Sequence, residues 1–279
     1  MIDTTALRQG AAQGRIELRQ SFTGGELIAN LFWPVATLIA VFFLRDRPVP
    51  GTELRLGALV LPGVLGMFVA LGMLLIAQQL TADREDGTLL RARATPHGIR
   101  GYLTGKLTTV SATVLAYLTI LLAGGALVLS GFHLGGIRWP TLAWVLLLGL
   151  LATQSVGAIL GALLTSSRGA GMLSLPVLGL IAVSGIFYPI TALPGWLQGL
   201  GQAFPIYWLG LGMRSAVLPG TADAVEIAGS WRHLETAAML GGWAILGLIV
   251  APLVLRRMTR RESGSRVARS RERTLRQVG

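Results

Sequence analysis

The side chains on which active sites most often depend are few in this chain and far apart. Cysteine is absent, which excludes thiol catalysis, thiolate metal sites and disulfides within it. Gly105-Lys106 comes nearest to a phosphate-binding loop, but Arg100 and Leu107 stand where the G-x-x-x-x-G-K-[ST] pattern needs Gly and Ser or Thr. Three histidines lack the spacing of zinc ligands: His97, His133 and His233. The sequence therefore predicts no catalytic site, no metal site and no ATP hydrolysis by this chain.

The polar side chains within the apolar stretches are amides and hydroxyls. No Asp, Glu, Lys, Arg or His lies inside any of the six long apolar segments. Proton-coupled carriers use an ionisable relay at membrane depth, so we expect any uphill transport to be powered elsewhere. The amides and hydroxyls either join helices or line a substrate path, and the sequence leaves both roles open. The candidates for the path are Asn30, Gln154, Ser155 and Ser184.

A charged segment, residues 81–96, follows the second apolar stretch. Its acidic side chains come early, where a helix N-terminus would favour anions. Gly87 is expected to interrupt the first helix, and the oxygen of Thr88 is expected to cap a second helix over 89–95. Pro96 ends that second helix. A short amphipathic helix near the membrane surface, suited to docking, and an ordinary solvated loop fit this spacing equally well.

A long connection, residues 191–235, precedes the last apolar stretch. A helix is expected over 192–200, with Pro194 in its first turn, and the aromatic run 204–208 is typical of a membrane interface. The apolar residues that follow are too few to span, and Arg214 closes them. We expect short helices that dip into the outer leaflet and are buried against protein, or an aromatic anchor without a transport role. For Arg214 a structural or topological role is expected ahead of attraction for anionic groups outside, since isolated surface arginines often have no specific partner.

Composition shows which elements must position these residues. The chain has 279 residues, of which 52% are hydrophobic and 13% charged, whereas soluble domains carry about 25% charged residues. A membrane span needs about 20 mostly apolar residues. Six segments qualify: 27–44, 56–80, 107–130, 141–166, 169–190 and 236–255. We therefore expect an all-α polytopic membrane protein with six transmembrane helices, in which residues 167–168 connect the fourth and fifth spans as a tight hairpin.

Basic residues set the expected topology. They are concentrated in 1–26, 81–106 and 256–279, which favours both termini in the cytoplasm of a multi-pass protein. Nine arginines follow Leu255, and such a cluster is a topology signal and a contact for anionic membrane lipids rather than for nucleic acid. The expected division is an interfacial N-terminal segment 1–26, a transmembrane domain 27–255 and a basic tail 256–279. The polar N-terminal segment lacks the features of a cleaved signal peptide, and none is expected.

Two motifs carry a resemblance to a known family. The first is Arg-Glu-Asp-Gly-Thr-Leu at 84–89, followed by Ala-Thr-Pro at 94–96 and Gly-Lys at 105–106. The second is Leu-Pro-Gly-Trp-Leu at 193–197, then Phe-Pro-Ile-Tyr at 204–207 and Arg214. With the six-span layout, they resemble the type-2 ABC exporter permeases, which include bacterial drug, antibiotic and polysaccharide exporters; daunorubicin-resistance-type subunits are most similar. Phe204-Pro205 stands where Asn-Pro is common in that family.

The resemblance implies a homodimer or heterodimer of permeases in the bacterial plasma membrane, bound to ABC ATP-binding subunits. ATP and Mg would lie on the partner subunit, with no cofactor in this chain. ATPase coupling is assigned by resemblance to Asp83, Arg84, Glu85, Gly87, Thr88 and Leu89. The outer gate is assigned to Pro194, Trp196, Pro205, Tyr207 and Arg214.

The function expected is that of the permease subunit of an ATP-driven efflux system. The uncharged spans suit a hydrophobic or amphipathic substrate such as a drug, an antibiotic or a lipid, with a role in multidrug or antibiotic resistance. Two alternatives stay open. One is an export permease for a polysaccharide or glycolipid, and the other is a membrane scaffold that transports nothing.

Overall fold

The fold is all-helical wherever it is described. A computed structural model describes residues 25–47, 55–93, 98–129, 132–164 and 166–261, and within them the chain forms ten α-helices, four short 3-10 helices and no β-strand. The α-helices are α1 (Gly25–Leu44), α2 (Leu56–Glu85), α3 (Thr88–Arg93), α4 (Gly98–Val128), α5 (Trp139–Leu163), α6 (Ser167–Met172), α7 (Ser174–Val183), α8 (Gly195–Ala203), α9 (Pro205–Val217) and α10 (His233–Arg261).

Four of these helices are long and apolar enough to cross a membrane. The qualifying stretches are Leu59–Glu85, Gly101–Val128, Trp139–Leu163 and His233–Met258, which lie in α2, α4, α5 and α10. Two further apolar helical stretches, Asn30–Leu44 and Arg168–Val183, are shorter. The helical class and the multi-span character of the chain are confirmed, and the count of six spans stays a prediction.

The segment predicted as the fifth span differs most from expectation. Residues 169–190 do not form one long helix, because α7 already ends at Val183. Between α6 and α7 only Leu173 lies outside the two helices, and it keeps helical φ and ψ, so the helical path continues from α6 into α7. Gly185 then adopts φ +67°, a left-handed conformation that glycine tolerates and that turns the chain out of the helix. The predicted hairpin connection is also displaced, because Ser166 caps α6 through a bond from the Gly169 N–H, so residues 167–168 are helical.

The centre of the bundle is a close contact between α2 and α5. Gly157 and Gly161 lie one turn apart on α5, and a Cβ on Gly157 would overlap the carbonyl oxygen of Met73. A Cβ on Gly161 would lie 2.8 Å from the Cα of Ala77. Between helices in a membrane, small residues four apart allow such backbone contact, which dispersion and weak polar bonds then stabilise. The hydroxyl of Thr153, four residues before Gly157, donates to the carbonyl oxygen of Val69 at 3.2 Å.

The two ends of the helix bundle differ in the side chains that they bring together. At the charged end, the end of α2, the start of α4 and the end of α10 meet: Asp83 contacts Lys106, and Arg256 lines one cavity with Leu103. At the capped end, Arg138 at the start of α5 contacts the end of α9. The candidate coupling residues therefore lie at one end of the helices, and most of the long connection lies at the other.

Candidate functional site

The charged segment is a helix end followed by a sharp turn and a short second helix. α2 continues through Glu85, so Asp83 and Glu85 lie at a helix C-terminus rather than at the N-terminus that the sequence suggested. The chain turns at Gly87, which has φ +80°, and α3 begins at Thr88. Thr88, which was expected to cap this helix, is its first residue, and the Asp86 carboxylate accepts the Thr88 N–H at 2.8 Å. The expected second helix is present over Thr88–Arg93, while residues 94–97, including Pro96, lie outside the described residues.

Two of the predicted coupling residues attach this segment to the bundle. Asp83 forms an ion pair with Lys106 at 2.9 Å and accepts a hydrogen bond from the Tyr102 hydroxyl. The Arg84 guanidinium donates to the carbonyl oxygen of Leu164, beyond the end of α5. These cations also offset the unfavourable position of Asp83 at a helix C-terminus. The segment is thus held by α4 and by the end of α5 on either side.

The remaining coupling residues divide between core and surface. Leu89 is fully buried, and the turn residue Gly87 is buried as well. Glu85 and Arg91 are exposed, and Thr88 is half-buried with its hydroxyl accepting from the Arg91 guanidinium at 2.9 Å. The segment therefore exposes charged side chains of both signs and is anchored by the buried side chain of Leu89.

At the other end of the bundle, the long connection forms two helices that differ in burial. α8 begins after Pro194, and its Trp196 is 72% exposed, so these two predicted gate residues lie on the surface. α9 begins with Pro205, and every residue of this helix is buried. It packs against α2, α5 and α10. The predicted gate residues Pro205, Tyr207 and Arg214 are therefore inside the protein.

The turn between α8 and α9 lies well away from the capped end, on the side of the bundle, where Ala203 is exposed and Phe204 is half-buried. The Phe204 ring stacks on Trp243 with centroids 6.3 Å apart, and the Trp243 indole N–H donates to the carbonyl oxygen of Ala203. On α9, Leu209 packs onto Gly149. Trp243 and Gly149 each lie ten residues from the first residue of their helices at the capped end, which is about 15 Å along the helix axis. The chain thus runs away from the capped end along α8 and returns to that end along α9.

Arg214 is buried and has a specific partner, whereas the sequence placed it among isolated surface arginines with a structural or topological role. Its side chain is 3% exposed, and Nε lies 2.6 Å from Oε1 of Glu226, which is 1% exposed. Its Nη1 also donates to the carbonyl oxygens of Gly185 at 2.9 Å and Ile186 at 3.1 Å. One buried guanidinium therefore joins α9, the turn after α7 and the connection before α10. Sequence reasoning missed Glu226 because nothing in the spacing marks an acidic residue of a connecting segment as the partner of an arginine twelve residues earlier.

The ion pair itself retains polar atoms that have no hydrogen-bond partner. Within the described residues, Nη2 of Arg214 and Oε2 of Glu226 are buried and make no hydrogen bond. Burying a charge pair is costly unless its remaining donors and acceptors are satisfied. The pair is consequently a point at which the removal of one partner has a large effect.

Two more arginines fasten the long connection. Arg138 donates from its guanidinium to the carbonyl oxygens of Ser215 and Leu218, and its own N–H bonds the carbonyl oxygen of Ala216 at 2.8 Å. A cation at the C-terminus of α9 is favourable because the last carbonyl groups of a helix are unpaired and carry partial negative charge. Arg232 lies over the Trp208 ring at 4.7 Å and donates to the Gln202 amide oxygen at 2.8 Å.

Two further arginines at the capped end form ion pairs with a carboxylate close to them in sequence. Arg45 and Arg55 both contact the Asp46 carboxylate, at 3.0 and 2.9 Å, just after α1. The hydrogen bond from Arg45, with the charges of both arginines, holds the pKa of the Asp46 carboxyl below its usual value. These two side chains are therefore engaged with their own carboxylate.

The four candidate path residues make contacts within the protein. Gln154 is buried and donates to the Ser111 hydroxyl at 3.0 Å, which joins α5 to α4. Asn30 accepts from the Tyr117 hydroxyl at 2.9 Å, which joins α1 to α4. Ser155 and Ser184 return hydrogen bonds to carbonyl groups of the helical turns that precede them. Bonds of this kind hold helices together, and the role of these residues in a substrate path stays a prediction.

Comparisons with known proteins bear directly on these two sites. No curated protein matches the sequence significantly. Residues 6–218, well over half of the chain, match the family described as ABC-2 type transporter. The matched region contains the charged segment and the long connection as far as Leu218, together with the apolar helices between them. The chain therefore belongs to the ABC-2 type transporter family, and is the membrane-spanning permease component of an ABC transporter.

Proposed function

We propose that this permease exports a hydrophobic or amphipathic substrate by using the ATPase cycle of a separate ABC ATP-binding subunit. The observation that carries the proposal is the charged segment at one end of the bundle, in a chain of the ABC-2 family. Its exposed residues Glu85 and Arg91 belong to a turn and helix that are fixed to α4 and α5 by Asp83 and Arg84. A force applied to such a segment reaches the spans because the contact is through buried and partly buried groups.

The chain crosses the membrane six times in this proposal, with both termini in the cytoplasm. α1 and the pair α6–α7 supply the two spans beyond the four long apolar helices. The charged end would face the cytoplasm, because Lys106, Arg256 and Arg257 lie at that end and the arginine-rich residues 262–279 follow it. The capped end would then face outward.

The two helices of the long connection would form a re-entrant element that closes the outer side. The support is the depth of the turn at Phe204, about 15 Å from the capped end, against a hydrocarbon core of about 30 Å. The Arg214–Glu226 pair and Arg138 hold α9 in this position. Opening the outer side would require α9 or its neighbours to move, with the ion pair as the contact that must break or travel with the helix.

A second permease copy is part of the proposal. α1 exposes Phe32, Trp33 and Phe43, whose side chains are 58%, 67% and 74% accessible, and α7 exposes Leu175 at 74%. Lipid covers such faces in a monomer, and a second permease, identical or related, would cover part of them in a dimer. The substrate would pass between the two copies or along the polar groups of Asn30 and Gln154.

The test is co-purification with the ATP-binding subunit. The tagged chain is co-expressed with a candidate ABC ATP-binding subunit that carries a Walker motif, and the complex is assayed for assembly and ATP hydrolysis. Glu85→Arg reverses an exposed charge of the charged segment and should reduce both assembly and hydrolysis. Arg257→Glu reverses an exposed charge on α10 at the same end and serves as the matched control. An undiminished complex with Glu85→Arg and with Arg91→Glu would contradict coupling through this segment.

The competing assignment is a membrane scaffold with no transport. It differs in one measurable respect, since a scaffold in proteoliposomes with its partner would show no ATP-dependent movement of any hydrophobic dye or drug. A chain that concentrated a solute against its gradient with no ATPase present would contradict the proposal from the opposite side.

A further inference from the structure

A cavity lies between α4 and α10 at the charged end and plays no part in the functions described above. Its volume is about 450 Å³, within the range of roughly 300–1,000 Å³ that is usual for small-molecule sites. The walls are mostly aliphatic, with one hydroxyl and one guanidinium. Six of the lining residues matter here: Leu103, Thr104 and Leu107 on α4, and Ile249, Leu253 and Arg256 on α10.

The cavity has a closed floor and an open rim. Leu103 on the floor is only 4% exposed, whereas Ile249 and Leu253 on the rim are each 60% exposed. Both helices that form it contain candidate membrane spans. The open side of the groove is therefore in contact with the bilayer, and an acyl chain is the occupant that a membrane offers to such a surface.

One end of the groove carries a positive charge, whereas the rest of its lining is uncharged. The exposed guanidinium of Arg256 lies where α10 passes from apolar to basic sequence, one turn after Pro252. Lys106, next to Leu107 on α4, forms an ion pair with Asp83 at 2.9 Å. Anionic headgroups favour basic pockets between helices at the membrane boundary, with a contribution of about 1 kcal/mol for each basic residue near the surface.

We propose that this groove, defined by the six residues above, binds one anionic phospholipid. An acyl chain lies along Leu107, Ile249 and Leu253, and the phosphate contacts Arg256. The site joins the third of the proposed spans to the last one next to the charged segment, so its occupancy stabilises the packing of α10 against α4. It is independent of the transported substrate and of the partner ATPase, because it needs only the fold and the bilayer.

The experiment is native mass spectrometry of the full chain in detergent, titrated with dioleoyl-phosphatidylglycerol or dioleoyl-phosphatidylcholine. We expect the first phosphatidylglycerol to bind more tightly than the first phosphatidylcholine. Arg256→Gln should weaken that first binding step roughly fivefold and leave phosphatidylcholine unchanged. Arg257→Gln removes an equally exposed neighbouring charge that does not line the groove, and it should change little. Equal losses in the two variants, or equal binding of the two lipids, would overturn the proposal in favour of diffuse attraction by the basic end.

A steric pair of variants tests the apolar part of the groove. Leu253→Trp fills the groove from its exposed rim and should remove the tight phosphatidylglycerol step. Leu246→Trp, at a residue 52% exposed on the same helix and outside the groove, should retain it. If Leu253→Trp instead changes the number of chains in the complex and leaves lipid binding intact, the groove is a protein–protein contact and the proposal is wrong.

Discussion

Arg214 and Glu226 form an ion pair of 2.6 Å between two side chains that are almost completely buried. The carboxylate belongs to the connection before α10, the guanidinium belongs to α9, and the same guanidinium reaches the carbonyl groups of Gly185 and Ile186. Three separate pieces of chain therefore meet at one charge. Mutations here should have larger effects than mutations of any exposed ion pair of the protein.

Glu226→Ala should destabilise the chain by about 3–5 kcal/mol, because it leaves the Arg214 charge buried without its partner. The double variant Arg214→Met with Glu226→Leu should recover part of this loss, since it removes both charges, although two backbone carbonyl groups lose a donor. Chemical denaturation of the purified chain in detergent measures both quantities. Glu235→Ala, at an acidic residue 51% exposed, is the control and should change little. A double variant as unstable as the single one would show that the charge is not the cause.

Asp83 and Lys106 should be energetically coupled. Their side chains are only 14% and 12% exposed, and the pair joins the end of α2 to α4. A double-mutant cycle with Asp83→Asn and Lys106→Met should give an interaction free energy of about 0.5–3 kcal/mol in unfolding experiments. The exposed pair of Arg55 and Asp46 provides the comparison and should show no resolvable coupling. Additive effects of the two substitutions would contradict a direct bond.

Gly157 should not tolerate even one added methyl group. A Cβ at this position overlaps the Met73 carbonyl oxygen across the α2–α5 contact, so Gly157→Ala should cost about 1–3 kcal/mol through overpacking. Gly179 lies in α7, and a methyl group added there would have no neighbouring atom within 4 Å. Gly179→Ala should therefore be neutral or stabilising, up to about 1 kcal/mol, because alanine favours the helix. Equal melting temperatures for the two variants would contradict the close packing of α2 on α5.

Arg138→Met should loosen the end of α9. The substitution removes the guanidinium that caps the carbonyl groups of Ser215 and Leu218. Amide hydrogen exchange should become faster in the last turn of α9 and in the 3-10 helix Gly220–Val225 that follows, with little change in α2. Arg168→Met, at an exposed arginine of α6, is the control and should leave this exchange unchanged. Uniform acceleration over the whole chain would indicate global destabilisation instead.

The absence of cysteine allows the proposed topology to be mapped directly. Ala224→Cys and Arg257→Cys place single thiols at exposed residues of the capped end and the charged end. A membrane-impermeant maleimide applied to intact cells should label the thiol at position 224, and should label the one at position 257 only after permeabilisation. The reverse pattern would show that the orientation is opposite to the proposed one. Labelling of both thiols from outside would contradict the proposal that α10 crosses the membrane between them.

The sequence predicts the long helices well because hydrophobic length is a local property. The predicted boundaries agree with those of α2, α5 and α10 to within about six residues. The predicted segments are 56–80, 141–166 and 236–255. The helix in segment 169–190 is shorter than predicted, because its residues are apolar throughout and composition does not reveal that the helix ends at Val183 and that the chain turns at Gly185. α2 and α4 also extend past their apolar segments into charged residues, where the ion pair of Asp83 and Lys106 satisfies the charges.

The sequence predicts where the two sites lie, but it does not predict which residues hold them in place. The motifs locate the charged segment and the long connection, but the partners that hold them come from distant parts of the chain. Neither Arg138 as a cap for α9 nor Glu226 as the partner of Arg214 follows from any local spacing. The spacing of Gly157 and Gly161 was an available signal that sequence reasoning missed, since small residues four apart indicate a close helix contact.

The direct backbone contact between α2 and α5 has a mechanical consequence. α2 has 30 residues, about 45 Å of helix, and Gly63 near its other end lies against the backbone of Ile186. Flexible side chains do not separate these surfaces, and tightly packed interiors transmit strain. A tilt of α2 imposed at Glu85 should therefore displace the turn at Ile186, whose carbonyl group Arg214 binds, because α2 contacts that turn directly.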